Sequence, residues 1–219
     1  VVTVILGSFL SVAASSLKEM QELNVENDSK KNILSCLGYK EDTENPWSPE
    51  EIQNIFNQNI TAIVLDSDGN KTQIDPKTID AETDENNFPI YISEVDNQIK
   101  GYAIPISGKG LWSTLYGFFA IDPDGVTAKG ITFYAHKETP GLGGEVDKAW
   151  FQNNFVGKRF INDQGKLVGI KVIKGKADPD SDYEVDGISG ATITSKGLES
   201  FLVDDLKKYE SFLKNVREG

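Results

Sequence analysis

The stretch from residue 114 to residue 134 reads TLYGFFAIDPDGVTAKGITFY. Two segments rich in aromatic and β-branched residues flank Pro123-Asp124-Gly125, a combination that is typical of strands joined by a tight turn. We therefore expect an antiparallel hairpin with strands from Thr114 to Ile121 and from Val126 to Tyr134. Similar segments predict further strands at residues 60–65, 90–95, 99–106 and 167–173.

Helices are predicted on either side of these strands. Ser48-Pro49-Glu50-Glu51 is a capping box with proline at the first helical position, so a helix should follow it. A short helix is expected between Glu145 and Phe155, and the helical spacing of apolar residues from Leu198 to Val216 predicts one long amphipathic helix. The side chains expected to face the core are Ile52, Ile55 and Phe56 in the first helix and Val146, Trp150 and Phe155 in the second. Together these elements predict an α+β fold, a twisted antiparallel sheet with flanking helices.

The N-terminus predicts a membrane anchor. Residues 1–17, VVTVILGSFLSVAASSL, have no charge and would form a helix roughly 25 Å long, slightly short of a bilayer. We expect one transmembrane helix whose first residues precede Val1; a signal peptide cleaved near Val12-Ala13-Ala14 is the alternative. The helical pattern continues to a stop at Gly38. The expected division is an N-terminally truncated anchor at 1–17, a helical extension at 18–38 and a globular domain at 39–219.

Composition and charge exclude several classes of function. The 22 Lys and Arg against 34 Asp and Glu give a net charge of −12, which repels nucleic-acid phosphates. A single Cys and a single His exclude a disulfide, a zinc cage and an iron–sulfur cluster, and we predict no metal site. No nucleophile–base arrangement is indicated by spacing, so we expect no catalytic side chain and a bound cofactor as the source of any chemistry.

Hydroxyls and small residues crowd the predicted start of the last helix, in DGISGATITSKG at residues 186–197. Such a segment is either an ordinary helix cap or an anion site in which free N–H groups and the helix dipole bind a phosphate. The pattern lacks the Lys-Ser/Thr ending of a phosphate-binding Walker loop.

Two further glycine-rich segments adjoin strands. HKETPGLGGE at residues 136–145 is either a strand-to-helix connection or a donor of backbone N–H groups to a planar polar ligand. A lone histidine next to a strand, such as His136, is more often a structural residue than a catalytic base. In GKGLWSTLYG at residues 108–117, Trp112 belongs either to the core or to the wall of a pocket for a flat ring.

A family resemblance joins these segments. DGISGATIT at residues 186–194 resembles the flavinylation motif of FMN-binding domains in ion-pumping redox complexes, Asp-Gly-x-Ser/Thr-Gly-Ala-Ser/Thr-x-Thr. Residues 110–118, 121–125 and 138–145 are similar to the C subunits of Na+-translocating NADH:quinone oxidoreductases. The G subunits of Rnf-type ferredoxin:NAD oxidoreductases share the motif and a similar Glu-Thr-Pro-Gly-Leu-Gly turn, but GLWST at residues 110–114 is typical of the quinone-reductase family.

The resemblance implies a site for covalent FMN. The final threonine of the motif, Thr194, would hold FMN through a phosphoester bond. The residues expected to shape the approach of the phosphate and ribityl chain are Ser189, Gly190, Ala191 and Thr192. The residues expected to line the isoalloxazine are Glu138, Thr139, Leu142 and Gly143, with Trp112 and Ser113 closing the other side.

The resemblance also implies a role and partners. The protein would be an electron-carrier subunit that relays single electrons through FMN between neighbouring membrane and flavoprotein subunits. A threonine hydroxyl without a neighbouring base is inert, so a separate flavin transferase with FAD as donor is implied. The family's location predicts a single-pass protein of the bacterial cytoplasmic membrane, with the FMN domain on the outer, periplasmic side. The alternative from another class is a membrane-tethered binding module without covalent flavin.

Overall fold

The computed structural model describes the backbone of residues 2–219 and the side chains of residues 17–219 except residue 19. The helices are α1 (Val2–Cys36), α2 (Pro49–Asn59), α3 (Ala149–Gln152), α4 (Thr192–Lys208) and α5 (Glu210–Glu218). The strands are β1 (Ile60–Leu65), β2 (Phe88–Val95), β3 (Gln98–Lys109), β4 (Thr114–Ile121), β5 (Ala128–Ala135), β6 (Lys171–Ile173) and β7 (Glu184–Asp186). Single 3-10 turns lie at Pro76–Thr78, Gly143–Asp147 and Asn153–Phe155.

Strands β1 to β5 form an antiparallel sheet in which each strand lies beside its neighbour in sequence. The predicted hairpin is β4–β5, and its turn closes with a hydrogen bond from the Gly125 N–H to the Asp122 carbonyl, 3.0 Å long. The predicted α+β class with an antiparallel sheet is therefore confirmed. The expected strand at 167–173 is shorter than predicted, because only β6 is extended, and it pairs in parallel with β7.

Successive side chains of the central strands point to opposite faces of the sheet, and both faces are covered. On one face lies the larger core, a single buried cluster that includes Ile104 and Phe119 of the sheet and the leucines of α4, Leu198, Leu202 and Leu206. On the other face, Phe118 packs with the last turns of α1 and with α2. Two faces buried by helices explain why β4 is apolar at nearly every position instead of alternating.

The predicted C-terminal helix is wrong in one respect: it is two helices, α4 and α5, separated at Tyr209. Tyr209 leaves the helical region (φ −102°, ψ 3°), and its buried hydroxyl donates a 2.8 Å hydrogen bond to the carbonyl of Pro89 in β2. The apolar spacing continues across the break, so periodicity alone does not detect it. Leu213 of α5 remains buried on the same face of the sheet.

The helix predicted between 145 and 155 is instead α3 between two 3-10 turns. Val146 and Phe155 are buried as expected, but Trp150 is 46% exposed and Phe151 takes its place in the core. The turns explain the difference, because a 3-10 turn advances three residues instead of 3.6 and shifts the buried face.

Helix α1 ends where the sequence predicts. Gly38 adopts a positive φ of 90°, and the Tyr39 N–H donates to the Leu34 carbonyl. The last turn lies directly on the sheet, since a Cβ at Gly130 of β5 would be 2.3 Å from the Cys36 carbonyl oxygen. The capping box at Ser48 forms as predicted at the start of α2.

The predicted membrane anchor, residues 1–17, falls almost entirely outside the residues whose side chains are described. Within the described part of the chain, no helix combines the length and the apolar character that crossing a membrane requires. Further along α1, the side chains of Leu17, Met20 and Leu23 are each more than half exposed.

Candidate functional site

The three glycine-rich segments of the sequence meet at the carboxylate of Glu138, which is 5% exposed. Glu138 lies three residues after the end of β5, in the segment that leads to the 3-10 turn at Gly143–Asp147. The turn at residues 110–113, which joins β3 to β4, lies on one side of it, and the first turn of α4 lies on the other.

Each oxygen of the Glu138 carboxylate has its own partners. Oε1 accepts hydrogen bonds from the N–H groups of Trp112 (2.8 Å) and Ser113 (3.1 Å). Oε2 accepts from the Thr194 hydroxyl at 2.7 Å and from the Leu111 N–H at 3.3 Å. Burial by itself raises the pKa of Glu138, but these hydrogen bonds, that of Thr194 foremost, together lower it below its usual value. The residue is therefore a buried carboxylate in its ionised form at neutral pH.

Thr194 lies in the first turn of α4 and is 1% exposed. Its hydroxyl proton points to Glu138 Oε2, 56 residues earlier in the chain. The expectation that this hydroxyl has no neighbouring base is therefore wrong. The physical reason is tertiary: the α4 start and the end of β5 come together only through the packing of the helix on the sheet.

Two glycines make room for this contact. A Cβ at Gly143 would be 2.6 Å from Glu138 Oε2 and 2.7 Å from Thr194 Oγ1. On the opposite side, a Cβ at Gly110 would be 2.8 Å from Glu138 Oε1. Any larger residue at Gly143 would have to displace one partner of the Glu138–Thr194 bond.

Close backbone approach also holds α4 against the end of β3. A Cβ at Gly197 would be 2.2 Å from the Lys109 carbonyl oxygen, and a Cβ at Gly108 would be 2.2 Å from the Phe201 Cβ. The helix therefore lies nearly backbone to backbone on β3 just before the turn at 110–113. This packing sets the distance between Thr194 and the N–H groups that bind Glu138.

The first residues of the DGISGATIT segment have structural contacts. Asp186 pairs with Lys176 and accepts a hydrogen bond from the Ala177 N–H. A Cβ at Gly187 would be 2.1 Å from the Ile173 carbonyl oxygen, so glycine is needed for the chain to pass β6. Gly190 has a positive φ of 73°, and the Leu142 side chain lies over it. These residues position the start of α4 without reaching Thr194.

Polar groups at the start of α4 remain available to a ligand. Its N-cap is Ala191, which makes no side-chain cap, so none of the described side chains caps the N–H groups of the first turn. The Ser195 hydroxyl is buried and has no hydrogen-bond partner among the described residues. An uncapped helix start with an orphaned buried hydroxyl fits an anionic ligand such as a phosphoester. Sequence reasoning missed Ser195, because only its burial distinguishes it from the neighbouring hydroxyls.

Exposed apolar side chains lie around this helix start. Trp112 is 70% exposed, Ile193 60% and Leu142 42%, values unusual for large apolar residues beside a buried polar cluster. A depression of about 430 Å³ lies beside Trp112 and Ser113 and extends to Tyr116 and His136. An exposed indole beside such a depression offers a wall to a flat aromatic ring, although the lining of the depression does not reach α4.

The other predicted contacts are less closely involved. Ser189, Thr192 and Thr139 are exposed, and Ala191 is buried. His136 accepts a hydrogen bond at Nδ1 from the Glu138 N–H (3.2 Å), and its Nε2 lies 3.6 Å from Asp147 Oδ2. These contacts hold the turn that contains Glu138, as expected of a structural histidine.

The chain is similar to proteins of a known family. The FMN-binding domain family matches residues 110–206, which include residues 110–117 of the first segment of the site and the whole of the other two. The C subunit of the Na(+)-translocating NADH-quinone reductase of Pseudomonas aeruginosa is 37% identical over 100% of this chain and 94% of its own length. The C subunit from Yersinia pestis is also 37% identical, over 94% of this chain and 86% of its own.

Two solved structures superpose on this chain. The crystal structure of the C subunit from Parabacteroides distasonis superposes with a TM-score of 0.78 at 35% identity, covering 90% of this chain and 96% of that one. A Shewanella oneidensis structure has a TM-score of 0.71 at 23% identity, covering 87% of this chain and 96% of that one, and it supports the fold alone.

Proposed function

This chain belongs to the family of the C subunits of Na(+)-translocating NADH-quinone reductases, and from that membership we propose that it relays electrons through an FMN attached to Thr194 by a phosphoester bond. It is part of an oxidoreductase complex, and its partners are the other subunits. Membership in this family separates it from the Rnf-type alternative.

The observation that supports the attachment is the state of the α4 start, where a threonine hydroxyl is oriented by a carboxylate beside an uncapped helix N-terminus. FMN supplies the electron-transfer chemistry when bound. The N–H groups of the first turn, the helix dipole and the orphaned Ser195 hydroxyl stabilise the charge of the phosphodiester. Trp112 and Leu142, whose large apolar side chains are exposed, would flank the ring and exclude water from it.

Attachment requires the turn at residues 139–144 to move, because Thr194 is 1% exposed beneath it. Gly143 packs on Thr194 Oγ1, and Leu142 lies over Gly190. Gly141 offers a pivot, since it has a positive φ of 75° and no described atom lies within 4 Å of its Cβ position. We propose that this turn opens for modification and then closes on the bound flavin.

We also propose how the protein matures and where it lies in the cell. A flavin transferase with FAD as donor installs the group on Thr194. Residues 1–17 anchor the protein in the bacterial cytoplasmic membrane, residues 18–38 extend that helix, and residues 39–219 form an FMN-binding domain on the periplasmic side. The residues proposed to contact the flavin are Trp112, Ser113, Glu138, Thr139, Leu142, Gly143, Ser189, Gly190, Ala191 and Thr192.

Mass spectrometry tests the attachment. Full-length chain expressed with a flavin transferase is expected to gain the mass of one FMN less one water, located by peptide mapping on the peptide that contains Thr194. The Thr194→Ala variant should show no gain. The matched control is Ser200→Ala, which removes an exposed hydroxyl of the same helix and should be modified like the wild type. An unmodified, colourless wild-type chain beside an active transferase would instead support the tethered binding module.

A further inference from the structure

We propose that Glu138 is a catalytic residue of its own protein's modification: it orients the Thr194 hydroxyl and receives its proton when the flavin phosphate is attached. The inference rests on the proposed function, since it assumes that Thr194 is the attachment residue. It differs from the lining role implied by the family resemblance, because Glu138 would act before the flavin is in place.

The geometry is that of a nucleophile and its base. The Thr194 Oγ1 to Glu138 Oε2 distance is 2.7 Å, within reach for direct proton transfer. A base that serves a nucleophile is itself oriented by a third group, and here the N–H groups of Trp112 and Ser113 fix the other oxygen, Oε1. Oε1 therefore anchors the carboxylate, while Oε2 faces the Thr194 hydroxyl and has only the longer bond from the Leu111 N–H beside it.

The anchor is independent of the turn that covers the site. Leu142 and Gly143 have to move for a donor to reach Thr194, but Glu138 is bonded to the turn at 110–113, which belongs to the β3–β4 hairpin. Glu138 can therefore stay on the Thr194 hydroxyl while residues 139–144 open. A carboxylate attached only to the moving turn would leave with it.

The chemical step balances without any redox change. A bond forms between Thr194 Oγ1 and the phosphorus of the flavin phosphate, and the bond from that phosphorus to the bridging oxygen of the donor's pyrophosphate breaks. The donor is a flavin dinucleotide presented by the transferase, and a nucleoside monophosphate leaves. The hydroxyl proton passes to Glu138 Oε2 and afterwards to solvent.

A weakly basic carboxylate suits this reaction. In phosphoryl transfer the attacking bond forms late, so the hydroxyl becomes acidic only as its oxygen bonds to phosphorus, and kinases use an aspartate in the same position. The hydrogen bonds that lower the pKa of Glu138 also keep it ionised, and therefore ready to accept a proton, throughout the neutral range.

The test measures initial rates of mass gain on purified full-length chain with purified transferase and FAD, from mildly acidic to alkaline pH. Glu138→Gln keeps the size of the side chain and an oxygen for Trp112 and Ser113, but it replaces the proton acceptor with a donor. We expect its rate to fall by about 100-fold at neutral pH. The ratio of wild-type to variant rates should shrink as the pH rises, because hydroxide replaces the missing base. Using ratios cancels the pH dependence of the transferase itself.

The controls separate the possible failures. Glu145→Gln changes a carboxylate of the same segment that bonds to Trp150 instead of Thr194, and it should react at the wild-type rate. Glu138→Asp keeps the negative charge, but its shorter side chain does not reach the Thr194 hydroxyl, so this variant should react slowly at every pH. If thermal unfolding shows that Glu138→Gln does not fold, Glu138→Asp is measured in its place. A Glu138→Gln or Glu138→Asp rate equal to wild type, or a Gln deficit that is constant with pH, overturns the proposal. A wild-type chain that gains no mass means that the attachment to Thr194 itself has failed.

Discussion

At the scale of single residues, the Glu138 charge makes folding depend on pH. The hydrogen bonds from Thr194 and from the turn at 110–113 lower the pKa of Glu138 in the folded protein, whereas in the unfolded chain the pKa returns to its usual value. The unfolded state thus binds more protons in acid, and the stabilisation is complete above the unfolded pKa and is lost as the pH falls through the folded pKa. We expect the free energy of unfolding of wild type to exceed that of Glu138→Gln at pH 7, and the two to converge in acid. Urea unfolding at a series of pH values checks this; a difference independent of pH would contradict it.

The sequence identifies the residues of the site but not their contacts. Thr194 and Glu138 both stand out in their motifs, yet no local pattern tells that their side chains share a hydrogen bond across 56 residues. That contact depends on where α4 rests on the sheet. The sequence does not reveal the orphaned Ser195 hydroxyl either, because a serine at this position could equally cap the helix, face solvent or contact a ligand.

The contact between α4 and β3 depends on Gly197. Helix propensity alone predicts that Gly197→Ala stabilises the helix by about 1 kcal/mol. The structure predicts the opposite sign, because the added Cβ would lie 2.2 Å from the Lys109 carbonyl oxygen, which is backbone and cannot rotate away. We expect a net loss of about 1–3 kcal/mol in the free energy of unfolding.

The same variant should also affect the site. Moving α4 off β3 increases the distance between Thr194 and Glu138, so Gly197→Ala should slow flavin attachment as well as lower the thermal midpoint. Ser200→Ala, on the exposed side of the same helix, is the matched control and should leave both unchanged. A more stable Gly197→Ala protein would show that the helix and strand can separate without cost.

Elements with strong local signals are the ones that sequence predicts well. β1 and β4 have the bounds expected from their apolar segments, and α2 begins at its capping box. β7 was missed because a three-residue strand with one apolar side chain has no periodicity to detect. The break at Tyr209 was missed for a related reason, since the partner of its hydroxyl, the Pro89 carbonyl, is 120 residues away.

The last turns of α1 are part of the core. Ile33, Leu34 and Leu37 are at most 3% exposed and pack on the sheet with Phe118. The proposed boundary between the helical extension and the domain, at residue 38, therefore cuts through buried contacts. We propose that the folding unit includes this end of α1.

Two truncations test the folding unit. A chain that begins at residue 18 removes the proposed anchor and should unfold with the stability of the full chain. A chain that begins at residue 39 removes those three aliphatic side chains and should lose on the order of 5 kcal/mol, at about 1.5–3 kcal/mol for each. Chemical denaturation of both compares them directly; equal stability would place the boundary at residue 38 after all.

Trp112 gives the protein an optical reporter of its own maturation. Of the three tryptophans in the chain, Trp112 is the one whose backbone N–H binds Glu138, the hydrogen-bond partner of Thr194, and the residue is 70% exposed. A flavin held against that ring would accept its excitation energy, so the tryptophan fluorescence of the chain should fall as attachment proceeds. The protein can therefore be followed through loading without any label.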